Sequence, residues 1–187
     1  MTATSLALPG VYLLEPALHG DARGWFCEMY SEKTLAEIGI AARFVQDNRS
    51  YSAKKGTLRG LHCQATPKAQ GKLFNCLRGA VLDVAVDARR DSPTYMRWVS
   101  AELTAENRRQ LWIPRGCLHV FVTLTDDVEV FYKVDEFYSP AHDRSVRWDD
   151  PAFGIAWGVE RPVLSAKDAN APLWGEAGLT FTMTTEE

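Results

Sequence analysis

The sequence predicts an all-β fold, a sandwich or jelly-roll barrel, and three observations carry that expectation. Short apolar runs broken by Gly, Pro and Asp recur from residue 10 to about residue 135, the spacing of strands and tight turns. Several runs alternate apolar and polar residues with a period of two, the mark of a strand with one buried face. Only Glu32 to Ile40, opening after the capping residue Ser31, has a helical pattern.

In chain order, strands are expected at Val11 to Glu15, Phe44 to Asn48, Thr57 to Gln64, Lys72 to Leu77, Val81 to Asp87, Trp98 to Leu103, Gln110 to Pro114, His119 to Thr125 and Val128 to Val134. Arg78-Gly79-Ala80 joins two of them and Asp126-Asp127 joins two others, each short enough for an antiparallel hairpin. The last fifty or so residues, rich in Pro, Trp and Asp, read as loops and short helices wrapped over the strands. No repeat, low-complexity tract or linker divides the chain, so residues 1–187 are expected to form a single domain around one core.

Composition narrows the function. Hydrophobic residues make up 46% and charged residues 24%, ordinary for a globular chain. A net charge of -3 with no run of five basic residues argues against nucleic acid as a partner. Cys27, Cys63, Cys76 and Cys117 form no C-x-x-C pair, which suits free thiols in a reducing cytoplasm. No segment approaches the roughly 18 apolar residues of a membrane span, and the N-terminus lacks the pattern of a secretory signal, so a cytosolic protein is expected.

Polar residues fall where a core should be. In Val128 to Val134 the period of two puts Tyr132 on the face of Val128, Val130 and Val134; its ordinary reading is a core tyrosine with a satisfied hydroxyl. In Leu58-Arg59-Gly60-Leu61-His62 a regular strand would send Arg59 and His62 to opposite faces. A bulge at Gly60 would bring both into one cavity. His119, after the turn at Pro114-Arg115-Gly116, is a second histidine in an apolar setting, whereas His19 and His142 lie in loop-like surroundings. A metal-binding strand would supply two histidines one residue apart and a carboxylate soon after; His62 has Leu61, Cys63 and Gln64 instead, so no metal is expected. No G-x-G-x-x-G opens a helix, which argues against a bound nicotinamide or flavin.

Taken in order, GDARGWF (Gly20 to Phe26), FVQDN (Phe44 to Asn48), LRGLH (Leu58 to His62), QGKL (Gln70 to Leu73), DVAVD (Asp83 to Asp87), SPT (Ser92 to Thr94), AEN and QLWIP (Ala105 to Pro114), Tyr132-Lys133 and LSAKD (Leu164 to Asp168) resemble the dTDP-4-dehydrorhamnose 3,5-epimerase family over nearly the whole chain. The resemblance implies a cupin-type jelly-roll β-barrel with a few short helices, no metal or organic cofactor, a dTDP-linked 4-keto-6-deoxyhexose as substrate, and a homodimer with an exchanged N-terminal strand. It makes His62 the base, held by Asp168, and Tyr132 the acid. Lys72 matches the enolate-stabilising lysine, assisted by His119. Arg59 matches an arginine near the sugar and phosphates; Arg23, Phe26, Glu28, Gln46 and Asn48 match positions that hold the nucleotide, and Tyr138 one that lines the pocket. The chain departs from a common pattern at His62-Cys63-Gln64 and at Cys117 to Phe121, where His-Tyr-Gln and Phe-Ala-His-Gly-Phe are frequent; these changes touch the sugar pocket and leave open whether C3, C5 or both are inverted.

The implied chemistry suits these residue types. A proton beside a ketone is removable only if charge moves onto the carbonyl oxygen, so a base and an oxyanion partner must act together. Imidazole backed by a carboxylate can take the proton, lysine can meet the oxyanion, and a hydroxyl on the opposite side can return a proton with inversion. Without the resemblance, the pattern favours Lys72 as a solvated cation beginning a strand and Asp168 as the cap of a final helix. Two rivals share the features: a nucleotide-sugar 3,4-ketoisomerase, and a non-catalytic sugar-nucleotide-binding barrel, which would not need base and acid together.

Overall fold

Strands pair in two facing sheets, and the computed structural model describes them within residues 1–183. In chain order they are β1 (Thr2–Ser5), β2 (Tyr12–Glu15), β3 (Leu18–Asp21), β4 (Gly24–Cys27), β5 (Gln46–Ser52), β6 (Leu58–Gln64), β7 (Lys72–Arg78), β8 (Ala80–Asp87), β9 (Trp98–Thr104), β10 (Gln110–Ile113), β11 (Cys117–Thr123), β12 (Val128–Val134) and β13 (Asp143–Ser145). One sheet runs β1-β2-β10-β7-β12-β5 and the other β13-β6-β11-β8-β9, while β3 and β4 form a separate hairpin. Together they make a jelly-roll barrel of the cupin type, as expected.

Burial follows the alternation of side chains. Phe74, Cys76, Val81, Ala85, Leu111, Phe121 and Val130 meet between the sheets. The outward residues of the five-stranded sheet, Val84, Val86, Leu118 and Val120 among them, are covered by Val146, Phe153, Trp157 and Phe181 of the C-terminal wrapping. Across the six-stranded sheet, Leu14, Leu73 and Trp112 pack under Leu35 and Ile40. Leu35 lies in α1 (Glu32–Glu37), whose N-cap Ser31 accepts a hydrogen bond from the Thr34 amide; the helix stops three residues short of the expected Ile40. The second helix, α2 (Ala166–Ala169), is a single turn capped by Ser165.

Both expected hairpins are corrected. Residues 78–80 lead from β7 in one sheet to β8 in the other, and residues 126–127 lead from β11 to β12 in the same way. A short turn fixes how sharply the chain reverses, but burial of both strands' apolar faces decides whether they lie side by side or face to face. The two corners pack on each other: a Cβ on Gly79 would sit 2.5 Å from Thr125 Oγ1, and the Ala80 amide donates to that oxygen at 3.2 Å. The strand expected at Phe44 to Asn48 instead runs from Gln46 to Ser52 because its inward side is polar, with Gln46, Asn48, Ser50 and Ser52 alternating against Asp47, Arg49 and Tyr51. β1, the β3–β4 hairpin and β13 lie outside the apolar runs that mark strands in the sequence.

Candidate active site

Tyr132 sits on β12 between Asn48 of β5 and Phe74 of β7, and one step along the same rows Val134 lies between Gln46 and Lys72. Alternation therefore sends Gln46, Asn48, Lys72, Phe74 and Tyr132 inward from the six-stranded sheet. The opposite wall comes from β6 and β11. There His62 pairs with His119 and Arg59 with Phe121, so three residues of β6 span two steps of β11. This is the bulge expected at Gly60, whose φ is +129°. A Cβ there would lie 2.5 Å from that of Val120. Leu58 and Leu61 both join the outer core, while Arg59 and His62 both line the cavity.

That cavity, of about 510 Å³, is bounded by Arg59, His62, Lys72, His119, Tyr132 and Asp168, with Phe74, Phe121 and Val163 among its apolar walls. A second of about 300 Å³ adjoins it through His62, Lys72 and Tyr132, and is lined by Gln46, Asn48 and Tyr138. Nine of the twelve expected site residues thus converge: His62, Tyr132, Asp168, Lys72, Arg59, His119, Gln46, Asn48 and Tyr138.

Arg23, Phe26 and Glu28 do not join them. Arg23 is on the exposed hairpin turn, bonded to Asp21 at 2.6 Å, Phe26 is 68% exposed, and Glu28 accepts a hydrogen bond from Thr34 Oγ1 at 3.2 Å.

Electrostatics differentiates the converging groups. His62 Nε2 lies 2.5 Å from Asp168 Oδ1, and Ser165 Oγ donates to Asp168 Oδ2 at 2.9 Å. Burial would raise the Asp168 carboxyl, but the hydrogen bonds and charge of His62 and the Ser165 hydroxyl hold it below the usual range. Asp168 is therefore a carboxylate. Lys72 is half-buried, and desolvation pushes its ammonium down against the pull of Cys63, Asp143 and Asp83. Burial keeps the Cys63 thiol protonated, pushed up to about 12. Burial raises Tyr132, with Arg59 opposing; the phenol keeps its proton at neutral pH. Arg59 is braced at the wall by donating to Ser52 Oγ (3.1 Å) and the Tyr51 carbonyl (2.9 Å).

His119 belongs to a deeper pair, its Nε2 2.6 Å from Asp83 Oδ1. Burial lowers the imidazole and raises the carboxyl, each opposed by the other. Asp83 was not anticipated as a site residue, although a charged residue on the inward parity of the apolar run Val81 to Val86 was a legible signal. Among the described residues no three His, Cys, Asp or Glu side chains are placed to hold a metal ion, and no helix is long and apolar enough to cross a membrane.

A family model described as dTDP-4-dehydrorhamnose 3,5-epimerase matches residues 5–176. The chain belongs to this family. It is 52% identical over 182 residues to the dTDP-4-dehydrorhamnose 3,5-epimerase of Salmonella typhimurium, covering 96% of this chain and 99% of that one. Among solved structures, the dTDP-4-dehydrorhamnose 3,5-epimerase of Bacillus anthracis, crystallised with TDP and PPi bound, superposes with a TM-score of 0.90 at 49% identity, covering 92% of this chain and 98% of that one. A 4-keto-6-deoxy sugar epimerase from the novobiocin biosynthetic gene cluster of Streptomyces spheroides superposes with a TM-score of 0.92 at 35% identity, covering 100% and 96%. The epimerase family and its barrel are thus shared across dehydrorhamnose and antibiotic-sugar relatives.

Proposed function

We propose that this chain epimerises a dTDP-linked 4-keto-6-deoxyhexose at C3 and C5 without a metal or organic cofactor. The observation that carries the reading is the opposition of the two walls: His62, backed by the carboxylate of Asp168, projects from the five-stranded sheet, and the Tyr132 phenol faces it from the six-stranded sheet. His62 removes the proton beside the C4 ketone, and Asp168 favours the imidazolium that forms. Lys72 meets the charge developing on the C4 oxygen, where losing such a contact typically costs about 100- to 1,000-fold. Tyr132 then returns a proton from the other face. An enolate open on both faces is what inversion needs, and a site that only bound sugar nucleotides would gain nothing from a base and an acid set across it.

The nucleotide fits the adjoining cavity of Gln46, Asn48 and Tyr138, with Arg59 offering forked donors to the diphosphate. In this reading two copies exchange N-terminal strands, and each hairpin brings Arg23, Phe26 and Glu28 to the other copy's nucleotide end. Exposure of Leu18, Trp25 and Phe26 on that hairpin supports it, since apolar surface of this kind marks a docking face.

Incubation with dTDP-4-keto-6-deoxyglucose in heavy water tests the function. Deuterium is expected at both C3 and C5. His62→Ala should abolish uptake at both, whereas Tyr132→Phe, which removes only the hydroxyl, should keep exchange while losing inverted product. Wild-type epimerisation by a well-folded Tyr132→Phe protein would remove the acid assignment.

A further inference from the structure

The C6 methyl of a 6-deoxy sugar is bonded to C5, next to the C4 ketone, so under the function proposed above it must lie in the cavity shared by His62, Lys72 and Tyr132. The walls of that cavity divide by polarity. Arg59, His62, Lys72 and Asp168 present charged or hydrogen-bonding atoms. Between them, drawn from both sheets, is an aromatic floor centred on the fully buried Phe74, with His119 edge-on at 4.7 Å, Phe121 at 5.3 Å and Tyr132 stacked at 5.6 Å between ring centroids. Phe74 and Phe121 are the two members of this floor with no polar atom in the side chain.

We propose that Phe121, backed by the fully buried Phe74, forms the seat of the C6 methyl and so selects 6-deoxy sugars over their 6-hydroxy counterparts. The assignment rests on the epimerase reading and adds to it the residues that read C6. A methyl placed against ring carbons leaves water favourably, whereas a hydroxyl there loses its water partners and gains none. Of the cavity's hydroxyls, Thr57 Oγ1 already donates to the Lys54 carbonyl at 2.7 Å and Ser165 Oγ to Asp168, while those of Ser50 and Tyr132 belong to the sheet opposite Phe121. An apolar pocket rejects an added hydroxyl by about 100-fold at most, which sets the scale of the effect.

The experiment compares deuterium uptake from dTDP-4-keto-6-deoxyglucose and from dTDP-4-ketoglucose, which keeps the C6 hydroxyl. The wild-type protein is expected to prefer the 6-deoxy sugar by about 10- to 100-fold in kcat/KM. Phe121→Tyr, which sets a hydroxyl partner in the floor, should narrow the preference by about tenfold, and Phe121→Leu should keep it while turnover falls. Equal uptake from both sugars by the wild-type protein would overturn the seat and leave the epimerase reading standing. An unchanged preference in a folded Phe121→Tyr protein would do the same for Phe121. No uptake from either sugar would remove the epimerase reading and this inference together. The wild-type comparison stands even if a variant fails to fold.

Discussion

Two histidine–aspartate pairs face the same cavity and differ in nearly everything except their chemistry. In His62–Asp168 the imidazole side chain is 31% exposed and the carboxylate 3%; a second hydrogen bond from Ser165 completes the carboxylate's environment. In His119–Asp83 both members are buried, and Asp83 Oδ2 has no hydrogen-bond partner among the described residues. The first pair keeps its negative charge and has room for an imidazolium. Burial resists charge on both members of the second. In the function proposed above, one motif therefore serves as a proton acceptor at the cavity's edge and as a hydrogen-bonding pair in its depth, according to how much water each pair has surrendered.

The comparison breaks most readily at the carboxylates. Asp168→Asn should slow deuterium uptake by about 10⁴-fold, the scale seen when a base loses the carboxylate that sets its tautomer, whereas Asp83→Asn should cost about 100-fold at most. Equal losses would show that the deeper pair also transfers protons. Stability should rank the other way. Asp83→Ala strands His119 among aromatic rings and should cost about 1–3 kcal/mol, while Asp168→Ala leaves an imidazole that water can reach and should cost less. Urea unfolding at pH 7 measures both, and a larger loss in Asp168→Ala would contradict the burial argument.

The smallest effect sharpens the contrast through pH. Because burial lowers His119 in the fold, the unfolded chain takes up that proton first, so this group's contribution to stability falls as pH drops below about 6.5. Asp168 is lowered by its partners; its contribution is present above about pH 3.9 and is lost as pH falls through its folded value. Urea midpoints from pH 7 to 3 should show His119→Gln flattening the upper window and Asp168→Asn the lower. Identical pH profiles for the two variants would sink the distinction.

Much of the site was legible because alternation is strict. The parity of Val128 to Val134 placed Tyr132 inward, and the conflict between Arg59 and His62 announced a bulge at Gly60. Features that depend on partners distant in sequence were not legible. Gly79 and Asp127 sit in turns that look like hairpins, but which sheet receives the next strand depends on faces buried elsewhere. β5 was misplaced because its buried side is Gln46, Asn48, Ser50 and Ser52, polar for the cavity's sake and hence invisible to a search for apolar periodicity. Arg23, Phe26 and Glu28 were matched by motif, yet within one chain the hairpin holds them away from the cavity.

The extra residue at position 60 makes the cavity a matter of odd and even. Replacing Gly60 by alanine would remove no charged, aromatic or hydrogen-bonding side chain, yet the added Cβ would meet that of Val120 at 2.5 Å and oppose the bulge that lets Arg59 and His62, three positions apart, share a side. Were residues 59–62 to alternate regularly instead, one of the two would turn toward the Leu118, Val120 and Val122 side of the sheet, and the residues proposed as catalytic would no longer share a room. For this strand an empty space carries information that functional side chains do not, so a relative with a larger residue here could match every other motif and still be unable to perform the proposed reaction.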